Sequence, residues 1–585
     1  MAHSGRCALR VSLLLVAILA AAACAPASAP RASNDQPAPS GPPADPARKT
    51  ITIGIASAFY AFSIADRGLN VGGGGALQEL WLQGLVTSGR DTPAPEARVA
   101  AEVPSLDNGS MRVESDGRVT VTWHLRPDVQ WADGAPVTSQ DFLFGYQLAN
   151  DERLPFLKSG LAARLQSITA PDDHTLVMVW KEPYYLANAI GTGAGLQPLP
   201  RQVLLEPYQT SSADAFENHP YWTSEFFHIG PYRPVRFEPQ VELVLQPVPN
   251  YFLGAPKVGN IIVKMFADRN AVYASILAGA LDTTTGNALN PDQALSLKER
   301  WEVSGEGKVL TAPGNSQLIA FQFSTELQTE PTLLDPSVRQ ALFYAIDLQT
   351  WTDSVMGGKT SGLTSTGLLP PNHYLATYTN GSYATYAQDQ ARAQRMLADA
   401  GWIKGGDGYV TNISDGRRFK PSIWSTTEAS TLVLGDFWKQ VGLESSVYVI
   451  PRSRTSDREF WQTLPNVEIS SRGYGEEILD RIECAQSATP ANGFNGFNRG
   501  HYCKPETEAA VAGFKRSLKA EDQGRYLRQA ADLIAQDLPI IQTWFSLHHA
   551  SIAKGAVMFE DFGGGLTGSG VYGSYFRNGH LWDRL

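Results

Sequence analysis

Cysteine is nearly absent: only Cys7, Cys24, Cys484 and Cys503 occur in 585 residues. None forms a CxxC and none meets histidine at zinc-binding spacing, which excludes a cysteine-built metal centre. Runs rich in Lys or Arg are also missing. With 48 basic and 58 acidic residues the net charge is −10, which argues against a nucleic-acid partner. G-x-S-x-G, H-E-x-x-H and EF-hand patterns do not occur, so the sequence names no nucleophile, zinc hydrolase or calcium loop. The four glycines Gly72 to Gly75 lack the Lys-Ser/Thr of a phosphate loop. Gly568-Ser569-Gly570-Val571-Tyr572-Gly573 has dinucleotide-loop spacing, but the chain ends at Leu585, too soon for the helix, strand and acidic residue such a unit needs. His548-His549 is the sole adjacent histidine pair, and neighbouring side chains on a strand point to opposite faces. No catalytic residue, metal or cofactor is therefore expected.

What remains is a globular composition, 43% apolar and 18% charged, in a chain too long for one core. The first 24 residues read as an export signal. Arg6 and Arg10 precede the apolar run Val11 to Ala23, which is too short to span a bilayer. Cys24 follows Ala21-Ala22-Ala23 and resembles a bacterial lipoprotein processing site, where cleavage leaves the cysteine as a lipid-bearing N-terminus. Ala21 stands where such sites carry Leu, and plain secretion after the alanines is the alternative. Residues 25–48 hold seven prolines and hardly a large apolar side chain, the composition of a disordered tether. In an exported chain the pair Cys484 and Cys503 suggests one disulfide, worth about 3 kcal/mol on closing its loop; two buried thiols are the alternative.

The body is organised around Phe321 to Asp347. Apolar alternation from Leu318 predicts a strand. Asp335 then stands at an N-cap with Pro336 at the first helical position. Val338, Ala341, Leu342, Ala345 and Ile346 form one helical stripe, with Arg339 off it. Elsewhere Arg112 to Leu125 reads as a hairpin turned at Ser115-Asp116-Gly117, and Thr138 with Asp141 as a capping box after the Asp133-Gly134 turn. Asp389 to Ala400 reads as a helix closed by Gly401, and Arg525 to Asp537 as another stopped by Pro539.

"Phe-x-Phe … Asp-Pro-x-Val-Arg-Gln-Ala-Leu-x-Tyr-Ala-Ile-Asp" (residues 321–347) resembles the opening of the second lobe in the peptide/nickel family of ABC-transporter solute-binding proteins. Five further blocks follow in matching order: Trp131 to Phe142, Ile229 to Tyr232, Pro249 to Lys257, Asp268 to Asp282 and Asp389 to Trp402. Pro539-Ile540-Ile541 resembles the family's return to the first lobe. The resemblance implies an α/β, two-lobed, type II periplasmic-binding-protein-like fold with an extra β-rich subdomain. It divides the chain into lobe one at 49–312, with the subdomain at about 85–225, lobe two at 313–538, and a return to lobe one at 539–585. It implies a small solute, peptide foremost, held between the lobes by a monomer, an ABC permease as partner, and a membrane reached through the Cys24 lipid. An oligosaccharide importer and a non-transport peptide sensor or chaperone are the rivals. Expected ligand contacts are the aromatics Tyr60, Phe62, Trp222, Tyr474 and Trp544, since such clefts are lined by rings and a few polar groups. Peptide-binding relatives carry an Asp that meets the α-amino group; the corresponding stretch Glu468 to Glu477 lacks it and has Arg472 near its place, which suits an anion or a stacked ring.

Overall fold

The computed structural model describes residues 49–57, 74–88, 95–157, 159–192, 196–356, 364–365, 367–370, 373, 375–455, 457–473, 475–558 and 576–585. The export signal, Cys24, the proline-rich stretch, Tyr60, Phe62, Tyr474 and the Gly568 to Gly573 motif lie outside these residues.

The first strand, β1 (Thr50–Ile55), alternates apolar residues, and Ile51, Ile53 and Ile55 are fully buried. A separate four-stranded sheet follows, built from β2 (Met111–Val113), β3 (Val119–His124), β4 (Leu165–Asp172) and β5 (Thr175–Trp180) in the order β2-β3-β5-β4. The helix α1 (Ser139–Ala149) lies against it. Its N-terminus is closed by the reciprocal Thr138–Asp141 capping box that the sequence suggests. Trp123, Trp131, Trp180 and Phe142 form this sheet's own core.

The chain then enters a ten-stranded mixed sheet. Its members are β6 (Tyr232–Glu238), β7 (Glu242–Pro247), β8 (Asn260–Met265), β9 (Thr283–Thr284), β10 (Gly307–Phe321), β11 (Ser422–Ser425), β12 (Ser446–Val449), β13 (Val467–Arg472) and β14 (Ile540–Ala553), together with β1. Their order is β12-β11-β13-β10-β14-β9-β1-β8-β7-β6. Two strands, β10 and β14, are far longer than the rest and pair antiparallel from Gly307↔Ala553 to Ala320↔Ile540. Each half of this ladder belongs to a different core. Leu310, Ala312, Ala550 and Ile552 pack with β1, β7 and β8, whereas Leu318, Ile319, Ile541 and Trp544 pack with α2 (Pro336–Tyr344) and the elements after it. The predicted strand at 318–323 is thus the second half of a strand begun at Gly307; Gln322 leaves the ladder to bond the backbone of Leu464 and Arg499.

In α2 the sequence stripe is buried as expected, and Asp335 accepts from the Ser337 amide at 2.8 Å. Arg339, off the stripe, is nevertheless completely buried. It donates to the Asp537 carbonyl at 2.7 Å, the Asp537 carboxylate at 2.8 Å and the Leu333 carbonyl at 2.7 Å, and lies over the Phe323 ring. Asp537 closes α4 (Ala520–Asp537), so this guanidinium joins the start of the second-lobe core to its end. Ahead of α4 lies α3 (Pro505–Lys515), and Cys484 and Cys503, just before α3, are joined in a disulfide. Helix Gln390–Asp399 ends at Gly401, whose φ of 85° is the left-handed conformation that glycine permits at low cost. Removing Arg339 leaves a buried carboxylate and two carbonyls short of a donor. Arg339→Ala is expected to lose about 3–5 kcal/mol in urea denaturation; a loss below about 1 kcal/mol would mean that Lys504, 2.8 Å from the same carboxylate, carries the pair alone.

Candidate functional site

Strand direction locates the site. In the first lobe β1 runs parallel to β8 and β9, and β9 runs antiparallel to β14, from Thr283↔Ile552 toward His549, whose amide donates to the Gly286 carbonyl at 2.6 Å. In the second lobe β11 runs parallel to β12 and β13, and β13 runs antiparallel to β10, from Val467↔Phe321 to Arg472↔Ser316. The carboxyl ends of β9 and β13 therefore point at one another along the long ladder. Ser316 pairs with Phe545 on its other side, so the gap between the two ends spans Phe545 to His549. At about 3.3 Å per residue that is roughly 13 Å of strand. Ligands of open α/β sheets sit beyond carboxyl strand ends, and here two sets of ends converge on one floor.

The floor is uncharged: Thr311 to Gln317 and Thr543 to His549 contain no Asp, Glu, Lys or Arg. Register slips between Pro313 and Ser316 and again between Gln317 and Leu318. Such bulges bend a strand and re-aim its side chains. The slips are pinned by side chains. Ser316 Oγ donates to Gln542 Oε1 at 2.6 Å, and Gln542 Nε2 donates to the carbonyls of Gln317 at 2.9 Å and Trp544 at 3.0 Å. Thr543 Oγ1 also donates to the Gln317 carbonyl, and Ser546 Oγ to that of Asn315. Gly314 is required by its neighbour: a Cβ there would lie 2.5 Å from the His548 ring.

The two histidines fall on opposite faces of β14, as alternation demands. His548 covers Gly314, while His549 Nδ1 lies 3.1 Å from Thr311 Oγ1. Burial holds both rings down to about 4, with His549 and Arg269 adding to the effect at His548. They are neutral at pH 7. No group of three or more metal-binding side chains occurs among the described residues.

Of the expected contacts, Trp544 lies on the crossing strand but is 1% exposed, packed edge-on against Trp351 with centroids 5.0 Å apart. Trp222, expected at the cleft, is instead 2% exposed in the first-lobe core among Phe156, Phe216 and Tyr221, its indole donating to the Phe216 carbonyl. The physical reason is the short Pro220–Trp222 turn, which aims the ring inward. Arg472 ends β13 at the floor, opposite Ser316. The floor residues themselves escaped sequence reading, because a polar strand in mid-sheet looks like any other; Gly314 within a strand was the available signal.

Two lobes, each closing its own core and joined by a two-strand crossing with converging strand ends, define a two-lobed binding protein. The comparisons give the family. Residues 96–474 match the bacterial extracellular solute-binding proteins, family 5 Middle, and the chain belongs to that family. A Brucella ovis protein bearing the name of an ABC transporter peptide-binding protein is 26% identical over 299 residues, 50% of either chain. The chain thus spans about half the length of such curated relatives. The oligopeptide-binding protein OppA of Lactococcus lactis is 25% identical over 511 residues, covering 77% of this chain and 79% of that one. Among solved structures, the oligopeptide binding protein of Thermus thermophilus, complexed with a pentapeptide, has a TM-score of 0.68 at 18% identity, covering 92% of this chain and 96% of that one. NikZ of Campylobacter jejuni, in complex with Ni(L-His), has a TM-score of 0.67 at 17% identity, covering 92% and 99%. At these identities the likeness is one of fold.

The buried neutral histidines make stability depend on pH. Their folded pKa values lie below the ordinary 6.5, so the unfolded chain binds protons that the folded chain refuses. Stability is complete above about pH 6.5 and falls as pH drops toward 4. Between pH 7 and 5 each ring is expected to cost roughly 1–2 kcal/mol. His549→Gln should flatten this decline in denaturant titrations; an unchanged slope would place the pH dependence elsewhere, in His228 or His580, which burial shifts in the same direction.

Proposed function

We propose that this chain is an exported solute-binding protein that captures a peptide between its lobes and delivers it to an ABC permease. The observation that carries the reading is the uncharged floor, some four residues long, toward which the strand ends of both lobes converge. The side chains exposed or only partly buried there, among them Thr311, Asn315, Gln317 and Ser546 beside Pro313 and Leu547, are neutral, which suits an uncharged, repeating polar ligand, and a peptide backbone is one. The names of the Brucella and Lactococcus relatives, and the pentapeptide bound by the Thermus protein, support the same choice.

Capture works by closure. A solute that contacts both lobes at once favours the closed form over the open one and raises its population accordingly. Lobe one is 49–312 and 539–585, lobe two 313–538, and the chain acts as a monomer. Cys24 carries lipid and residues 25–48 hold the body off the membrane. Tyr60, Phe62 and Tyr474 supply rings to the cleft walls, and Arg472, at the end of β13, meets a carboxylate or stacks on a ring of the solute. No helix among the described residues is long and apolar enough to cross a membrane. The chain is read as a binder, and no catalytic residue is assigned to it.

Native mass spectrometry of protein lacking residues 1–24 tests the solute. A retained mass that fragments into amino acids supports the peptide reading, and a hexose ladder overturns it in favour of an oligosaccharide. Arg472→Ala is expected to weaken solute binding by tenfold or more while thermal stability stays nearly unchanged. A large fall in stability with unaltered affinity would make Arg472 structural.

A further inference from the structure

The two lobes touch at a second place that uses neither long strand. The segment after β5 meets the end of α3. The Tyr185 amide donates to the Lys515 carbonyl at 2.8 Å, and the Tyr185 ring packs on Phe514 with centroids 4.9 Å apart. Glu182 pairs with Arg516 at 2.9 Å. The packing is reciprocal: Tyr185 leans on the second-lobe core, and Leu518, just beyond α3, leans on the core of the four-stranded sheet. Lys515 lies in the last turn of α3, where carbonyls lack partners inside the helix, so its oxygen is free to accept from across the gap.

The end of α3 is itself bolted in place. Lys515 Nζ sits 2.5 Å from both Asp480 and Glu483, and Glu508, in the first turn of α3, accepts from the Cys484 amide at 2.8 Å. The Cys484–Cys503 bond joins the same two segments covalently. Helix and turn thus form one rigid block that presents a single carbonyl, a ring and a cation to lobe one.

We propose that Glu182, Tyr185, Lys515 and Arg516 form a clasp that sets how often the lobes are closed, with the disulfide holding α3 in register for it. This inference rests on the reading that closure captures solute. The clasp residues lie off the floor strands, so they act as positioning residues. Apparent affinity falls in proportion to the closed fraction, so a clasp variant weakens binding without touching the cleft. The exposed Glu182–Arg516 pair contributes little by itself, and Tyr185 with its ring contact and backbone bond contributes more.

Full-length body lacking residues 1–24 would be compared with Tyr185→Ala, Glu182→Gln and the Cys484→Ser/Cys503→Ser double variant. The readouts are small-angle scattering, amide hydrogen exchange at Tyr185, and retention of a mixed tryptic peptide pool. Tyr185→Ala should enlarge the radius of gyration and weaken peptide retention about tenfold, with Glu182→Gln changing both less. The cysteine double variant should speed Tyr185 amide exchange while exchange in β10 and β14 stays at the wild-type rate. Unchanged scattering in Tyr185→Ala and unchanged Tyr185 exchange in the cysteine variant would overturn the clasp. Failure of the wild-type protein to retain any peptide would overturn the peptide reading alone, since scattering and exchange judge the clasp without a ligand.

Discussion

The structure depends on one constraint, the antiparallel ladder of Gly307–Phe321 with Ile540–Ala553. Each strand is bought into two cores at once, so neither lobe can complete its sheet without the other's residues. Contacts that join positions more than two hundred residues apart are slow to form, because loop-closure entropy must be met before they contribute. Once made, they fix the geometry of everything else. The ladder decides which strand ends meet, how far apart they stand, and which side chains form the floor between them. The bulges at Pro313 to Leu318 keep that floor from being a flat sheet, and the Ser316–Gln542–Gln317 bonds hold the irregularity in a single form.

Much of the fold was legible from local pattern. The Met111–Val113/Val119–His124 hairpin, the Thr138–Asp141 box, the α2 stripe and the Gly401 stop each rest on interactions within a few residues, where sequence spacing carries the physics. Several ends shifted by a residue or two, as caps and fraying dictate, but the helix read from Arg525 begins at Ala520 and the strand read from Leu318 begins at Gly307. What periodicity could not show was destination. Arg339 reads as a side chain off the apolar stripe, yet it is wholly buried, because Asp537 and two carbonyls nearly two hundred residues away in one case give its donors partners. Trp222 reads equally well as a cleft ring and as a core ring. Only the turn at Pro220 and the cluster around Phe216 decide between them.

The site was less legible than the fold for the same reason. Its floor is made where two strands from opposite ends of the chain lie side by side, and neither Asn315-Ser316 nor Ser546-Leu547 is distinctive alone. The motif blocks that do stand out in the sequence turn out to shape corners. Asp133 accepts from the Ala135 amide within its own turn, and Asp141 closes a helix. Strong sequence signals mark the scaffold here, because turns and caps demand particular residues, while a floor assembled from two distant strands does not.

The distribution of charge makes the same point about function. Among the described residues, the more deeply buried ion pairs of the second lobe include Arg339 with Asp537, Arg499 with Glu468, and Lys515 with Asp480 and Glu483, none of them on the floor segments. A charge on the floor would reward one ionic ligand and impose a desolvation cost on all others at closure. Neutral donors and acceptors impose no such choice, and the histidines, kept neutral by burial, follow the rule at pH 7. On the proposed reading, selectivity is left to groups at the strand ends, while the floor supplies the part of recognition that every solute of the class shares. A binder that reads backbone at the crossing and side chains or termini at the strand ends can keep one closing motion for many ligands, because the hinge strands that move are not the groups that discriminate.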